Sequence, residues 1–419
     1  MNEDRLPNNA ELKLDLMFEG IRYSDALGEA AEGAFPNFYP YRFTSGEPDP
    51  TGKGKALIPY MLMTEGDVLS RIKGNGQSHW YIKGGRESGY HLCHDHRKHP
   101  DQAVQFTPIP RWMKTLTSDG IPMDQTGISL HTDMAVINLA PACQYFLVDK
   151  ENGKSMRCSF CAYGAPDARS DQLGQKMDAV ALPDLTYARM KETLAELVNS
   201  NEVRHIYLVG GSMTDWEQEG QRFIELAREV QSVNQHKIPV TCGSGALPNQ
   251  YIKQLHDEGL VDAVCFNLEV WSEDLFAMVC PGKHKFVGYN RWIAALEYAV
   301  KTFGKGKVYT AMVAGIELGP EYGKTGEEAL NLALRGAEDL CSRGIIPIYS
   351  LFWPVAGHNL PETFSVLREY FEKLNLGYAQ IREKHALKIW DGFMCHRCAY
   401  MQLECDIDMH HDQNLEIIN

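Results

Sequence analysis

The chain lacks any apolar run of the roughly 18 to 20 residues that a membrane-spanning helix needs, so no membrane is expected among its partners. It is also short of positive charge: 41 Lys and Arg stand against 55 Asp and Glu, a formal net charge of -14. A nucleic-acid binder needs a basic face to displace counterions, so nucleic acid is not expected either. The opening residues, "MNEDRLPNNAELKLDL", lack both the basic start and the apolar run of a secretory leader, which points to a cytoplasmic protein. In a reducing cytoplasm disulfides are not expected, which leaves the eleven cysteines to metal ligation, catalysis or core packing. Position separates these roles. Cys242, Cys265 and Cys341 lie in or beside apolar runs such as "DAVCFNL" and "AEDLCSRG", where a thiol acts as a small hydrophobe.

What the chain does have, from residue 134 onward, is alternation. The runs "MAVINL" (134–139), "VRHIYLV" (203–209), "IPVT" (238–241), "DAVCFNL" (262–268), "KVYTAMVA" (307–314) and "IIPIYSL" (345–351) are nearly continuous in apolar character. That is the pattern of strands buried on both faces of a parallel sheet. Between them, segments such as "LTYARMKETLAELVN" and "YNRWIAALEYAVKTF" carry apolar residues at three- and four-residue spacing, and "PETFSVLREYFEKL" follows the last strand. Six strand and helix pairs predict an α/β fold built as a partial (βα)6 barrel of the TIM type, open because a closed one takes eight. The barrel is assigned to residues 131–377. Residues 1–130 read as an irregular, partly β accessory region without a long helical period, and 378–419 as a short Cys-rich extension.

Chemistry in such a sheet gathers at the C-terminal edge of the strands, where loops converge without disturbing the core. Cys143 falls just past the first strand. The stretch "CQYFLVDKENGKSMRCSFC" puts fourteen residues between it and a Cys-x-x-Cys pair, Cys158 and Cys161. Three thiolates from one loop suit a cubane iron–sulfur cluster with one iron left open. A tetrahedral zinc site would take a fourth ligand, and spacing alone leaves that choice open. Asn152-Gly153 within the gap signals a tight hairpin turn that returns the chain towards Cys143. The added loop costs little, because closure entropy grows only logarithmically with length.

"CSFC" after the first strand of a βα series resembles the radical S-adenosylmethionine (SAM) superfamily, whose usual motif has three residues in the first gap where this chain has fourteen. The segments "FNLEVWSEDLFAMVCPGKHKFVGYNRWIAAL", "AGIELGPE" and "IPIYSLFWPVAGHNL" are similar to the fourth-, fifth- and sixth-strand segments of the branch that includes biotin synthase and its hydrogenase-maturation relative. The resemblance covers roughly residues 134–375. It implies that Cys143, Cys158 and Cys161 hold a 4Fe-4S cluster whose open iron chelates the methionine end of SAM. Asn267 and Glu269 would then bond the ribose hydroxyls, Arg291 would pair with the methionine carboxylate, and Phe160 would pack near the adenine. Gly210 and Gly211 would bring backbone carbonyls to the ligand's ammonium, with Ser212 standing where an acid is often found. The implied activity is reductive cleavage of SAM to a 5'-deoxyadenosyl radical that abstracts hydrogen from a small molecule, in cofactor or natural-product biosynthesis. The electrons would come from a donor such as flavodoxin or ferredoxin.

The tail carries a second Cys-x-x-Cys, Cys395 and Cys398, with His396 between them and Cys405 beyond. This pattern suggests an auxiliary iron–sulfur cluster or a zinc ion, with Cys280, Cys93 or a histidine as a fourth ligand. Such a cluster would anchor substrate, carry electrons or donate sulfur in a sulfur insertion. A zinc-stabilised binding protein without catalysis is the reading from another class. The histidine-rich "HLCHDHRKH" (91–99) reads as a solvated polar loop, and Trp271, Trp353, Tyr163 and Tyr349 read as core aromatics before pocket walls.

Overall fold

The computed structural model describes residues 6–37, 39–65, 68–96, 100–140, 143–148, 155–161, 186–354, 358–361, 364–390 and 401–411. The chain divides into two compact units, Met1–Arg111 with His396–Asn419, and Trp112–Cys395.

The first unit opens with helices α1 (Asn8–Glu19) and α2 (Asp25–Ala31). A short ladder, β1 (Tyr41–Arg42) with β2 (Lys55–Ala56), precedes five strands: β3 (Met61–Thr64), β4 (Leu69–Arg71), β5 (Trp80–Gly85), β6 (Gly89–His94) and β7 (Gln102–Phe106). These five form a sheet in the order β4-β3-β7-β6-β5, antiparallel at every pairing. Leu12, Leu16, Leu62, Trp80, Ile82 and Val104 belong to one buried cluster beneath it. The expectation of a region without a long helical period is corrected by α1. Its residues 12 to 17, Lys13 and Asp15 included, are all buried, so no polar face exists to make the period visible. Lys13 is satisfied by Asp406, 2.7 Å away on the helix Glu404–His411. The reading of "HLCHDHRKH" as a solvated loop is corrected for its described part: residues up to His94 form β6, and His94 meets the Trp80 ring edge-on at 4.7 Å.

The second unit carries the expected barrel strands: β8 (Ile128–His131), β9 (Met134–Ile137), β10 (His205–Leu208), β11 (Val240–Ser244), β12 (Ala263–Phe266), β13 (Val308–Ala314) and β14 (Ile346–Leu351). Strands β9 to β14 are parallel in chain order, and β8 adds an antiparallel edge, so the seven-stranded sheet is a partial barrel that ends at β8 and β14. Every residue of β11 and β12 is buried, as strands covered on both faces require. The covering helices are α3 (Tyr187–Ser200), α4 (Trp216–Asn234), α5 (Asn249–Asp257), α6 (Glu273–Val279), α7 (Pro281–Phe286), α8 (Tyr289–Phe303), α9 (Gly326–Ser342) and α10 (Arg368–Lys384). Strand β8 was not foreseen. It turns into β9 through Thr132 and Asp133, with Thr132 at φ +57, a two-residue hairpin without the glycine that usually announces one. No helix among the described residues is long and apolar enough to cross a membrane.

Candidate active site

The cysteine loop leaves the C-terminal end of β9 and is tied on one side to the loop after β10. Gly211 N–H donates to the Ala140 carbonyl at 2.7 Å, and Gln144 N–H donates to the Ser212 carbonyl at 2.9 Å. The Gln144 Oε1 accepts from the Thr214 N–H at 2.8 Å and from its hydroxyl at 3.0 Å. Met156 N–H reaches the Val148 carbonyl at 2.8 Å, so the chain does return across the widened gap; Asn152 and Gly153 lie outside the described residues. On the other side Ser159 N–H donates to Val279, Gly282 N–H to Met156 and Asn359 N–H to Ser159, at 2.8 to 2.9 Å. The Cys158 segment is thereby strapped between the corner joining α6 to α7 and the loop after β14. A cleft of about 1020 Å³ opens beside it, lined by Arg157, Ser159, Met278, Tyr322 and Asn359 among others.

Burial pushes Cys143 up to about 11, with a further upward contribution from the nearby Cys158. Cys158 is raised by its hydrogen bond with the Cys280 thiol, by burial and by the charge of that same neighbour. Cys280, considered from the sequence for the tail site, thus lies against the barrel's own cysteine loop. Cys161 is half-buried one turn on, its N–H donating to the Cys158 carbonyl at 3.1 Å. Among the described residues no three His, Cys, Asp or Glu side chains close to metal-holding geometry. The donor chemistry and placement nevertheless fit a thiolate-ligated cluster: three soft sulfur donors on one loop at the C-terminal edge of the sheet.

At the end of β12 regular strand geometry stops. Asn267 N–H donates to Ser244 at 3.2 Å and its side-chain oxygen accepts from the Cys265 thiol at 3.3 Å. Glu269 sits at φ +73, so regular strand alternation does not extend from Asn267 to Glu269; an isolated parallel bridge to Met312 carries the pairing instead. The Glu269 carboxylate faces a cation that sequence reasoning missed. Lys283 Nζ donates to Glu269 Oε1 at 2.7 Å and to the Asn267 carbonyl at 2.5 Å. Burial alone would lower Lys283, but the Glu269 charge, with Cys158 and Cys280 behind it, turns the shift upward and keeps the ammonium charged. Burial pushes the Glu269 carboxyl up while Lys283 pulls it back.

The remaining expected residues are dispersed around this centre. Gly210 and Gly211 form the loop after β10, but the Gly211 carbonyl accepts from Arg222 Nη2 at 2.7 Å. Ser212 lies beside Tyr145, whose ring stacks on Phe286 at 5.5 Å. The position right after the glycine pair is Ser212 and not an acid, yet Glu219 on α4 reaches back to this loop. Its carboxylate accepts from Met213 N–H at 2.8 Å and from Gly245 N–H at 3.2 Å, and burial pushes it up. Phe160 is half-buried, and Arg291 is exposed with its guanidinium 5.7 Å from the Trp216 ring centroid. Cys395, Cys398 and Tyr163 lie outside the described residues. Cys405 is half-buried on the helix Glu404–His411, its thiol raised by burial and by neighbouring carboxylates. A signal for Lys283 existed in "CPGKHKF": a Pro-Gly corner that carries a lysine into the barrel mouth instead of out to solvent.

Residues 154–325, which include Cys158, Cys161, Asn267, Glu269 and Lys283 but not Cys143, match the sequence model of the radical SAM superfamily. The bacteriochlorophyllide c C-7(1)-hydroxylase of Chlorobaculum limnaeum is 23% identical over 265 residues, 59% of this chain and 60% of the hydroxylase. Among solved structures, methylornithine synthase (PylB) matches 68% of this chain and 77% of its own at 16% identity and a TM-score of 0.41. The FeFe-hydrogenase maturase HydG from Carboxydothermus hydrogenoformans matches 64% of this chain and 56% of its own at 13% identity and a TM-score of 0.42. With a partial barrel and three cysteines at the C-terminal edge of its sheet, the chain is similar over residues 154–325 to the radical SAM superfamily, and it spans 60% of the length of the hydroxylase it matches.

Proposed function

We propose that this enzyme cleaves SAM reductively and uses the resulting 5'-deoxyadenosyl radical to abstract hydrogen from a small molecule. The observation that supports the reading is the cysteine loop, which carries Cys143, Cys158 and Cys161 at the C-terminal edge of the sheet and is strapped in place by backbone bonds on both sides. Cys143, Cys158 and Cys161 would hold a 4Fe-4S cluster, which when bound supplies the electron that breaks a carbon–sulfur bond of SAM. The chain's own contribution is placement. Gln144 locks the cysteine loop to the Gly210–Gly211 loop, Glu219 joins that loop to the one after β11, and Asn267 and Glu269 offer hydrogen-bond acceptors for the ribose. The walls of the half-barrel keep water from the reactive carbon, because positioning is the main control over so reactive a species.

The cleft beside Ser159 and Tyr322 is large enough for a small organic substrate. A matched relative named as a hydroxylase, an activity that breaks a C–H bond, supports hydrogen abstraction over a purely structural role. Electrons would come from a flavodoxin or ferredoxin, and Cys395, Cys398 and Cys405 would hold an auxiliary cluster with an anchoring or redox role. The test is anaerobic purification with cluster reconstitution, followed by assay of reductant-dependent 5'-deoxyadenosine. Formation by the wild type and none by Cys158→Ala is the expected result. No product above that control, from a wild type shown to hold iron, overturns the reading.

A further inference from the structure

Lys283 has no place in the functional reading so far, although it is the buried cation of the site, with a side chain 7% exposed. Its ammonium donates to the Asn267 carbonyl at 2.5 Å and to Glu269 Oε1 at 2.7 Å, and lies 4.9 Å from the Trp292 ring centroid. A buried charge is costly to desolvate and is weak evidence for stability, so its effect is sought in what it holds in place. What it touches is the irregular turn that follows β12. Glu269 at φ +73 and Ser272 at φ +88 both occupy the left-handed half of conformational space, a strained choice for residues with side chains. The turn is fixed from β13 by Glu269 N–H donating to Ala311 and Val313 N–H donating to Glu269, both at 2.8 Å. It is fixed from α7 by Lys283 alone among the described side chains. Only Glu269 Oε1 is engaged by that ammonium; Oε2 receives no hydrogen bond among the described residues, and the side chain keeps 12% exposure.

We propose that Lys283 is a positioning residue for the nucleoside half of SAM: by tethering Oε1 and the Asn267 carbonyl it turns the free oxygen of Glu269 towards the ribose hydroxyls. This rests on Asn267 and Glu269 being the ribose partners. A carboxylate paired through one oxygen still has lone pairs for two O–H donors on the other, and the pairing keeps it an acceptor. Two of the ammonium's three donors are committed to Glu269 and the Asn267 carbonyl, which leaves one for direct capture of the methionine carboxylate, and the binding test below separates the two roles.

The test is equilibrium binding of SAM, 5'-deoxyadenosine and methionine, each as a separate probe, to the anaerobically reconstituted full chain. Lys283→Met is expected to weaken SAM and 5'-deoxyadenosine by the same factor, on the order of 10- to 100-fold for a charged hydrogen bond. Methionine binding stays as in the wild type. Glu269→Gln, which keeps its shape, gives a similar loss, and the double variant is no weaker than either single one. Lys283→Gln, retaining a donor, restores part of the affinity. A merely structural lysine would weaken all three probes alike, and direct capture would weaken methionine while sparing 5'-deoxyadenosine; either result, or additive losses in the double variant, overturns the proposal. Wild-type protein that holds its cluster and binds none of the probes overturns the functional reading, and this inference with it.

Discussion

Gly282 is the point where the corner joining α6 to α7 meets the cysteine loop, and Gly282→Ala measures how tightly that loop is held. A Cβ there would stand 2.5 Å from Tyr145 Cγ and 2.7 Å from the Met156 carbonyl oxygen, closer than real contacts allow. Tyr145 cannot yield, being 1% exposed and stacked on Phe286 at an interplanar angle of 6°. The Met156 carbonyl must therefore move, and it is the acceptor of the 2.9 Å bond from Gly282 N–H. Overpacking of this kind costs about 1–3 kcal/mol, and the lost backbone bond adds roughly 1 kcal/mol. A local destabilisation of about 2–4 kcal/mol corresponds to a loss of roughly 30- to 700-fold in hydrogen-exchange protection, at about 1.4 kcal/mol per factor of ten. The amides to follow are those of Ser159 and Gly282, which bond across the two straps. Iron retained per chain after reconstitution should fall with them, since Cys158 lies between those straps. Protection at both amides within about twofold of wild type, together with full iron content, would show that the corner does not hold the loop.

Glu317 is 6% exposed, accepts from the Tyr370 hydroxyl, and is pushed by burial from 4.5 up to about 7. The native state therefore binds this proton more tightly than the unfolded chain. Its contribution to stability is lost as pH rises between about 4.5 and 7, by up to about 3 kcal/mol, and Glu317→Gln should flatten that part of a urea-midpoint profile. His205 acts with the opposite sign: fully buried against Thr241 at 2.8 Å, it is lowered by burial from 6.5 to about 3. Stability tied to it is lost as pH falls below 6.5, and a His205→Gln variant with the same acid midpoint as wild type would refute this. Removing one partner of the buried Lys13–Asp406 pair should cost about 3–5 kcal/mol in denaturant unfolding, while Lys13→Met with Asp406→Leu recovers most of it. Cys395→Ala or Cys398→Ala should lower bound iron by about four atoms per chain if the tail holds a cubane cluster, with zinc unchanged.

The six parallel strands were legible because strands covered on both faces need continuous apolar runs, and residues such as Val240–Ser244 supply them. The helices α3, α4, α8 and α9 were legible through their three- and four-residue spacing, since each presents one face to the sheet. Where these regularities lapse, so does legibility. Helix α1 buries a lysine and an aspartate along with its leucines, and β8 turns at Thr132 without a glycine. The corner between α6 and α7 carries "PGKHKF", whose three basic residues look like a solvated surface although one is buried.

Order along the chain was enough to say that three cysteines, a glycine pair and an Asn-x-Glu pair follow the first, second and fourth parallel strands, because a parallel βα series delivers each strand end to the same edge. Which charges meet there was not. The Lys283–Glu269 pair spans fourteen residues, the Glu219 staple joins two different loops, and the contact of Cys158 with Cys280 crosses more than a hundred positions. Burial of a charge is a property of the packed assembly, since only there does a distant partner arrive to replace water. Local pattern specified the scaffold, and the folded chain alone decided the electrostatics of the site.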